Sequence, residues 1–144
     1  MPESPQFPEE QSGWVLAQAE GRSTVEAEHR VEMALLGALE DAVRRDLGPN
    51  RINEILTQLI EHTTVHFMSE QMLMRLTAYP GYEAHALEHD HLLEQAQALQ
   101  DRVDAGHSRP TLAFIESVRT WLTKHIEGQD RAFLSHLEGA GPSQ

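Results

Sequence analysis

Four stretches of this chain repeat apolar residues at the spacing of one helix face, and histidine or carboxylate interrupts every stripe. The first stripe runs Val25, His29, Leu36 and Val43, with Met33 and Leu39 between them. The second runs Ile52, Ile55, Leu56, Leu59, Thr63, His66, Glu70, Leu73 and Met74. The third is Tyr82, His85, His89, Leu92, Ala96, Leu99 and Val103. The fourth is Ile115, Val118, Leu122 and His125, then Phe133 and Leu137. Residues three, four and seven apart fall on one side of a helix with 3.6 residues per turn. Gly48-Pro49, Tyr79-Pro80-Gly81 and the segment from Gly106 to Pro110 separate the stripes as turns. Ser23-Thr24-Val25-Glu26 has capping-box spacing and predicts the start of the first helix. Pro110 suits the first turn of the fourth. No stretch shows the strict alternation of a half-buried strand. The pattern predicts an all-α, up-down-up-down antiparallel four-helix bundle over residues 23–138, because short connections make neighbours antiparallel. Residues 1–22 read as an irregular N-terminal arm packed down by Trp14, and 139–144 as a loose tail.

Composition excludes several classes. A chain of 144 residues is one domain and needs no disulfide staple. It has no cysteine, so thiolate metal sites, iron–sulfur clusters and cysteine nucleophiles are ruled out. Eleven Lys and Arg stand against 23 Asp and Glu, a formal charge of −12. Such a chain repels nucleic acid and anionic membranes. Its longest apolar run, from Met33 to Leu39, is far too short for a membrane span. The acidic N-terminus lacks the basic and apolar regions of a secretory signal, which predicts a cytoplasmic chain or a domain of a larger protein. No Gly-rich phosphate loop or Gly-x-Ser-x-Gly elbow is present. A monomer suffices, since the bundle can bury its own stripes.

The nine histidines nearly match the Lys and Arg in number. His29 lies on the first stripe, His66 and Glu70 on the second, His85 and His89 on the third, and His125 on the fourth, followed by Asp130. Burying such groups singly is costly. Five imidazoles and two carboxylates from four helices are reconciled if a metal centre collects them. Residues i and i+4 share a helix face, so His66/Glu70 and His85/His89 each aim two groups at one place. His125 and Asp130 are five apart, about 140° around an α-helix, and meet only if the carboxylate reaches sideways. Imidazole and carboxylate without sulfur suit iron, manganese or zinc. A lone His-x-x-x-His is weak, and His62/His66 is a second copy. The weight lies in the ordered set across four helices.

That set, with its flanking words, resembles the hemerythrin family, in particular bacterial hemerythrin domains. The matching segments are His66-Phe67-Met68-Ser69-Glu70 with Met74, Tyr79-Pro80-Gly81-Tyr82-Glu83-Ala84-His85-Ala86-Leu87-Glu88-His89, and Trp121-Leu122-Thr123-Lys124-His125-Ile126 with Asp130. The resemblance implies two non-haem iron ions. One would take His85, His89 and His125, and the other His29 and His66. Glu70, Asp130 and an oxo or hydroxo group would bridge them. It implies an open position on the two-histidine iron for O₂ or a small anion. It also implies an apolar pocket there of Trp121, Leu122 and Ile126.

His62 occupies a position where bacterial relatives often carry Tyr, and is expected near the open site. Glu26 stands where the family often has Asp and could act as a cap or a support for a ligand. His91, His107 and His136 read as exposed; Glu32, Glu40 and Asp41, like Glu88, Asp90 and Glu94, read as solvated faces. Met68, Met72 and Met74 read as core filling. The leading function is reversible O₂ binding, in a carrier or store or in a sensing domain attached to a signalling protein. The alternatives are a di-iron enzyme acting on peroxide or nitric oxide, and a structural zinc or manganese bundle. The five-to-two excess of His over carboxylate favours binding over oxidation, because ferritin-like oxidases use more carboxylates.

Overall fold

The computed structural model describes residues 9–139, with side chains described from residue 21 onward. Its elements are α1 (Glu9–Arg44), α2 (Pro49–Leu76), α3 (Tyr82–Asp104), α4 (Leu112–His125), a π-helical turn (Ile126–Asp130) and α5 (Arg131–Gly139). No strand occurs among the described residues. α4, the π turn and α5 run on without a break, so the chain makes four rods, the expected four-helix bundle. α1 packs against α2 and against both parts of the last rod, and α2 packs against α3. Side-chain links show the antiparallel register: Thr63 to Glu32, Asn53 to Asp104, and Arg119 to Glu40.

The first three helices stop by the same device. Leu47 N–H bonds to Ala42 O, Tyr79 N–H to Met74 O and His107 N–H to Arg102 O. Each is paired with an inner bond that spans fewer residues, from Asp46 to Val43, Ala78 to Arg75 and Gly106 to Val103. This double closure needs a residue at positive φ just past the helix. Gly106 (φ 77) supplies it without strain, whereas Asp46 (φ 49) and Ala78 (φ 52) do so with side chains attached. Pro49 opens α2 with its φ already helical. Thr111, not Pro110, begins the fourth rod: its hydroxyl accepts from Phe114 N–H at 3.1 Å.

The first helix departs from expectation. It begins at Glu9 rather than at Ser23, so the helix already runs through much of the expected arm. Ser23 and Thr24 lie exposed in mid-helix, and the capping-box spacing caps nothing. The packing expected of Trp14 and the tail from residue 140 lie outside the described residues. Gly21 lets α1 approach α2 closely: a Cβ there would sit 2.5 Å from Leu73 Cδ2.

One apolar cluster fills the half of the bundle nearer the 45–48 and 105–111 connections. Leu36, Leu39, Ala42, Ile52, Ile55, Leu56, Ile115 and Val118 belong to it. Burial of such stripes is the main favourable term in folding. Met74 is buried as expected, but Met68 and Met72 point to solvent with Val65 and Leu76 on the outer face of α2. No described helix is long and apolar enough to cross a membrane.

Candidate metal centre

Toward the 77–81 turn the stripes change character. His66, Glu70, His85, His89, His125 and Asp130 are all buried, and the His29 side chain is 11% exposed. The helical period carries each inward just as it carries Leu36 or Leu56. The seven residues gather into two overlapping groups: Glu70, His85, His89, His125 and Asp130, and His29, His66, Glu70 and Asp130.

Each carboxylate divides its oxygens between the groups. Glu70 Oε1 lies 2.6 Å from His85 Nε2 and 3.3 Å from His89 Nε2, while Oε2 lies 3.6 Å from His66 Nε2. Asp130 Oδ1 lies 2.8 Å from His85 Nε2 and 3.1 Å from His125 Nε2, while Oδ2 lies 2.8 Å from His29 Nε2. The Nε2 atom of His125 is 3.1 Å from that of His85 and 3.0 Å from that of His89.

Asp130 reaches this point through the π turn. In a π-helix residue i bonds to i+5, so a side chain five positions on returns beneath the first. The sideways reach expected of an α-helical Asp130 is therefore replaced by a local change of helix type.

The donor set fits metal ions. Three imidazole nitrogens meeting at about 3 Å, with carboxylate oxygens among them, oppose lone pair to lone pair unless protons or cations intervene. Both oxygens of Glu70, both of Asp130 and His29 Nε2 are buried without a hydrogen-bond partner. Buried polar atoms are almost always satisfied. Six-coordinate ions with bonds of ~2.1 Å place neighbouring ligands about 3 Å apart, the spacing these atoms show.

Protonation follows the same geometry. Burial and the neighbouring His85 and His125 push His89 down to about 2, and burial pushes His66 down to about 4. Both are neutral and ready to ligate at neutral pH. Burial alone would lower His85, but the Asp130 and Glu70 carboxylates close beside it lift it to about 9. Burial would raise Asp130, yet the His125, His29 and His85 imidazoles crowded against its oxygens hold it well below the usual carboxylate range. Burial raises Glu70.

A surrounding shell holds the imidazoles. His89 Nδ1–H donates to Gln71 Oε1 at 2.8 Å, which leaves Nε2 free to face the centre. Glu88 faces His125 Nδ1 and Glu28 faces His66 Nδ1, each at 3.5 Å. Phe67 stacks on His89 with ring centroids 3.7 Å apart. Sequence spacing marked none of Gln71, Glu28 or Phe67, although each sits beside an expected ligand in the chain. Glu88 was expected to be solvated; it is half-buried.

Glu32 is the larger correction. Read as part of a solvated face, it is 1% exposed, and its Oε2 accepts from Thr63 Oγ1 at 2.9 Å. It lies three residues past His29 on the same face, a periodicity that would have revealed it. Burial pushes its carboxyl up to about 7. Glu26 instead forms a half-buried ion pair with Arg22 at 3.0 Å. His136, expected to be exposed, is half-buried and donates to Thr77 O at 2.8 Å. His91 and His107 are exposed.

The other expected site residues take distinct places. Trp121 stacks on the His125 ring at 4.6 Å. Leu122 lines an apolar cavity of about 20 Å³ shared with Leu59, Ile60, Thr63 and Leu92. Ile126 borders a groove between α1 and α5 that reaches His29. The His62 ring lies parallel to that of His66, 6.4 Å away, and its Nε2 bonds to Glu28 O at 3.0 Å.

Comparison with known proteins agrees with this geometry. Residues 20–137 match the model of the hemerythrin HHE cation-binding domain. A bacteriohemerythrin of Ralstonia nicotianae is 27% identical over 129 residues, 90% of each chain. A myohemerythrin of Sipunculus nudus is 31% identical over 82 residues, 57% of this chain and 62% of that one. A crystal structure of wild-type hemerythrin superposes with a TM-score of 0.77 at 27% identity, covering 80% of this chain and 88% of the other. The chain therefore belongs to the hemerythrin family, a membership that implies O₂ binding at a di-iron site.

Proposed function

We propose that this protein binds O₂ reversibly at a two-iron centre, the capability common to a carrier, a store and a sensing domain. His85, His89 and His125 hold one iron, His29 and His66 hold the other, and Glu70 and Asp130 bridge them. The observation that carries the reading is the split of both carboxylates, each with one oxygen toward each histidine group. Two ferrous ions held there would supply the electrons for reversible O₂ binding.

The chain's residues set where exchange occurs. One group offers five donors and the other four, so the two-histidine position is the one left with room for a ligand. Gln71 fixes the tautomer of His89. Trp121 and Phe67 cover the imidazoles of the three-histidine group with apolar surface. Leu122 and its cavity keep apolar surface next to the site, which disfavours the entry of water that would promote oxidation to the ferric form. The seven ligands belong to a bundle whose first helix runs back to Glu9, and the reading takes it as a cytoplasmic chain or a domain of a larger signalling protein.

The test is iron quantitation with absorption spectra of the reduced protein before and after air. The reading predicts two irons per chain and a visible charge-transfer band that appears with O₂ and disappears when O₂ is removed. Zinc in place of iron, or an iron protein whose spectrum ignores O₂, contradicts it.

A further inference from the structure

One helical turn from the seven residues, toward the 45–48 connection, lies a second layer. It contains Glu32, three residues past His29; Thr63, three before His66; Leu92, three past His89; and Leu122, three before His125. All four are buried. Thr63, Leu92 and Leu122 line the apolar cavity. Glu32 is the one ionisable side chain of this layer. Among the described residues no lysine or arginine pairs with it, and its Oε2 accepts a hydrogen bond from the Thr63 hydroxyl. With no basic side chain of the protein to pair it, a carboxylate there is costly to bury.

The position has a use. Both bridging carboxylates come from residues nearer the 77–81 turn than the histidines that precede them: Glu70 follows His66 by one turn, and Asp130 follows His125 through the π turn. The face of the two-histidine group left without a protein donor thus looks toward the layer of Glu32 and Thr63. Glu32 stays outside the cluster of converging donor atoms, so it is no further member of the ligand set.

We propose that Glu32, oriented by Thr63, donates a hydrogen bond to the ligand taken up at the two-histidine position, which favours small ligands carrying an acceptor atom or negative charge. The inference rests on the iron-binding reading above. Its burial beside the Thr63 hydroxyl supports the proton this role needs, and His29, His62 and Asp130 are the charged or titratable groups whose fields reach the carboxyl. Hydrogen bonds to charged partners are strong enough that losing one is read as about a tenfold or greater fall in affinity.

The experiment titrates the oxidised, iron-loaded protein with sodium azide and follows the charge-transfer band, with iron counted in every variant. E32L is expected to bind azide about tenfold or more weakly than wild type. E32Q keeps an N–H donor and is expected within about threefold of wild type. A purely structural role would not give this rescue at equal iron content. Unchanged affinity in E32L overturns the proposal, as does tighter binding, the sign of an ionised carboxylate repelling the anion. A second readout uses the unmutated protein: exchange into D₂O is expected to shift the vibrational band of bound azide, and an unshifted band overturns the proposal. Wild-type protein without two irons defeats the earlier reading. Wild-type protein with two irons, alongside an unaffected E32L, defeats this inference alone.

Discussion

The two halves of this bundle use the same four rods and the same helical period for opposite ends. In the half toward the 45–48 and 105–111 connections, Leu36, Leu39, Ile52, Leu56 and Ile115 close on one another. The buried polar side chain of Gln100 is satisfied there by Asn53 Oδ1 at 2.7 Å and Thr57 Oγ1 at 3.1 Å. In the half toward the 77–81 turn, inward positions carry imidazole and carboxylate, and both oxygens of Glu70 and of Asp130 lack partners. One half is complete without a ligand, and the other is completed by cations. The comparison teaches that the inward period does not dictate apolar chemistry. It delivers whatever side chain the sequence supplies, and the satisfied half stabilises the unsatisfied one.

The largest effect is expected at Asp130, which touches both histidine groups. In D130A, iron falls below one per chain by elemental analysis. The rise in melting temperature that iron gives wild type disappears, a loss of about 4 kcal/mol per site at iron a thousandfold above its dissociation constant. Two irons retained in D130A would break the division between the halves.

Next comes L56A, in the satisfied half. Leu56 is fully buried, so its truncation costs about 2–5 kcal/mol in urea unfolding of the metal-free protein. Iron is expected to stay at two per chain. Equal loss of iron in L56A and D130A would show that the halves are not separable.

Glu32 lies at the border and gives a smaller, pH-dependent effect. Its carboxyl keeps its proton up to about pH 7 in the fold, against 4.5 as the ordinary value. Between those values the folded state holds more protons than the unfolded one. Metal-free wild type therefore loses stability relative to E32Q as pH rises across that range, by about 3 kcal/mol at most. Urea midpoints of the two proteins that stay parallel over the range would place Glu32 with the solvated residues.

The smallest change lies at the turn itself. Ala78 holds φ 52, which costs an alanine but not a glycine. A78G is expected to gain about 0.5–1 kcal/mol in thermal unfolding, with iron unchanged. A loss of stability would mean that this helix end carries no strain.

Much of this was legible in the chain because a bundle of short connections is written in local spacing. The turns at Gly48-Pro49 and Tyr79-Pro80-Gly81 and the ordered histidines were readable residue by residue. Two kinds of feature were not. The start of α1 at Glu9 escaped because Ser23–Glu26 offers a capping pattern that the continuing helix overrides. The π turn escaped because extrapolation from His125 assumes 3.6 residues per turn, and a change of helix type has no composition of its own. Glu32 was misread by residue type, although its spacing from His29 already placed it inside. Gln71 and Glu28 depend on which way neighbouring helices turn their faces, which one helix's pattern does not encode.

The central claim is that seven side chains hold two metal ions side by side. Anomalous scattering at the iron edge, from crystals of the iron-loaded protein, tests it most directly. The account predicts two peaks about 3.5–4 Å apart, one among His85, His89 and His125 and the other between His29 and His66, with Glu70 and Asp130 reaching both. A single peak, or iron bound away from these seven residues, would contradict it.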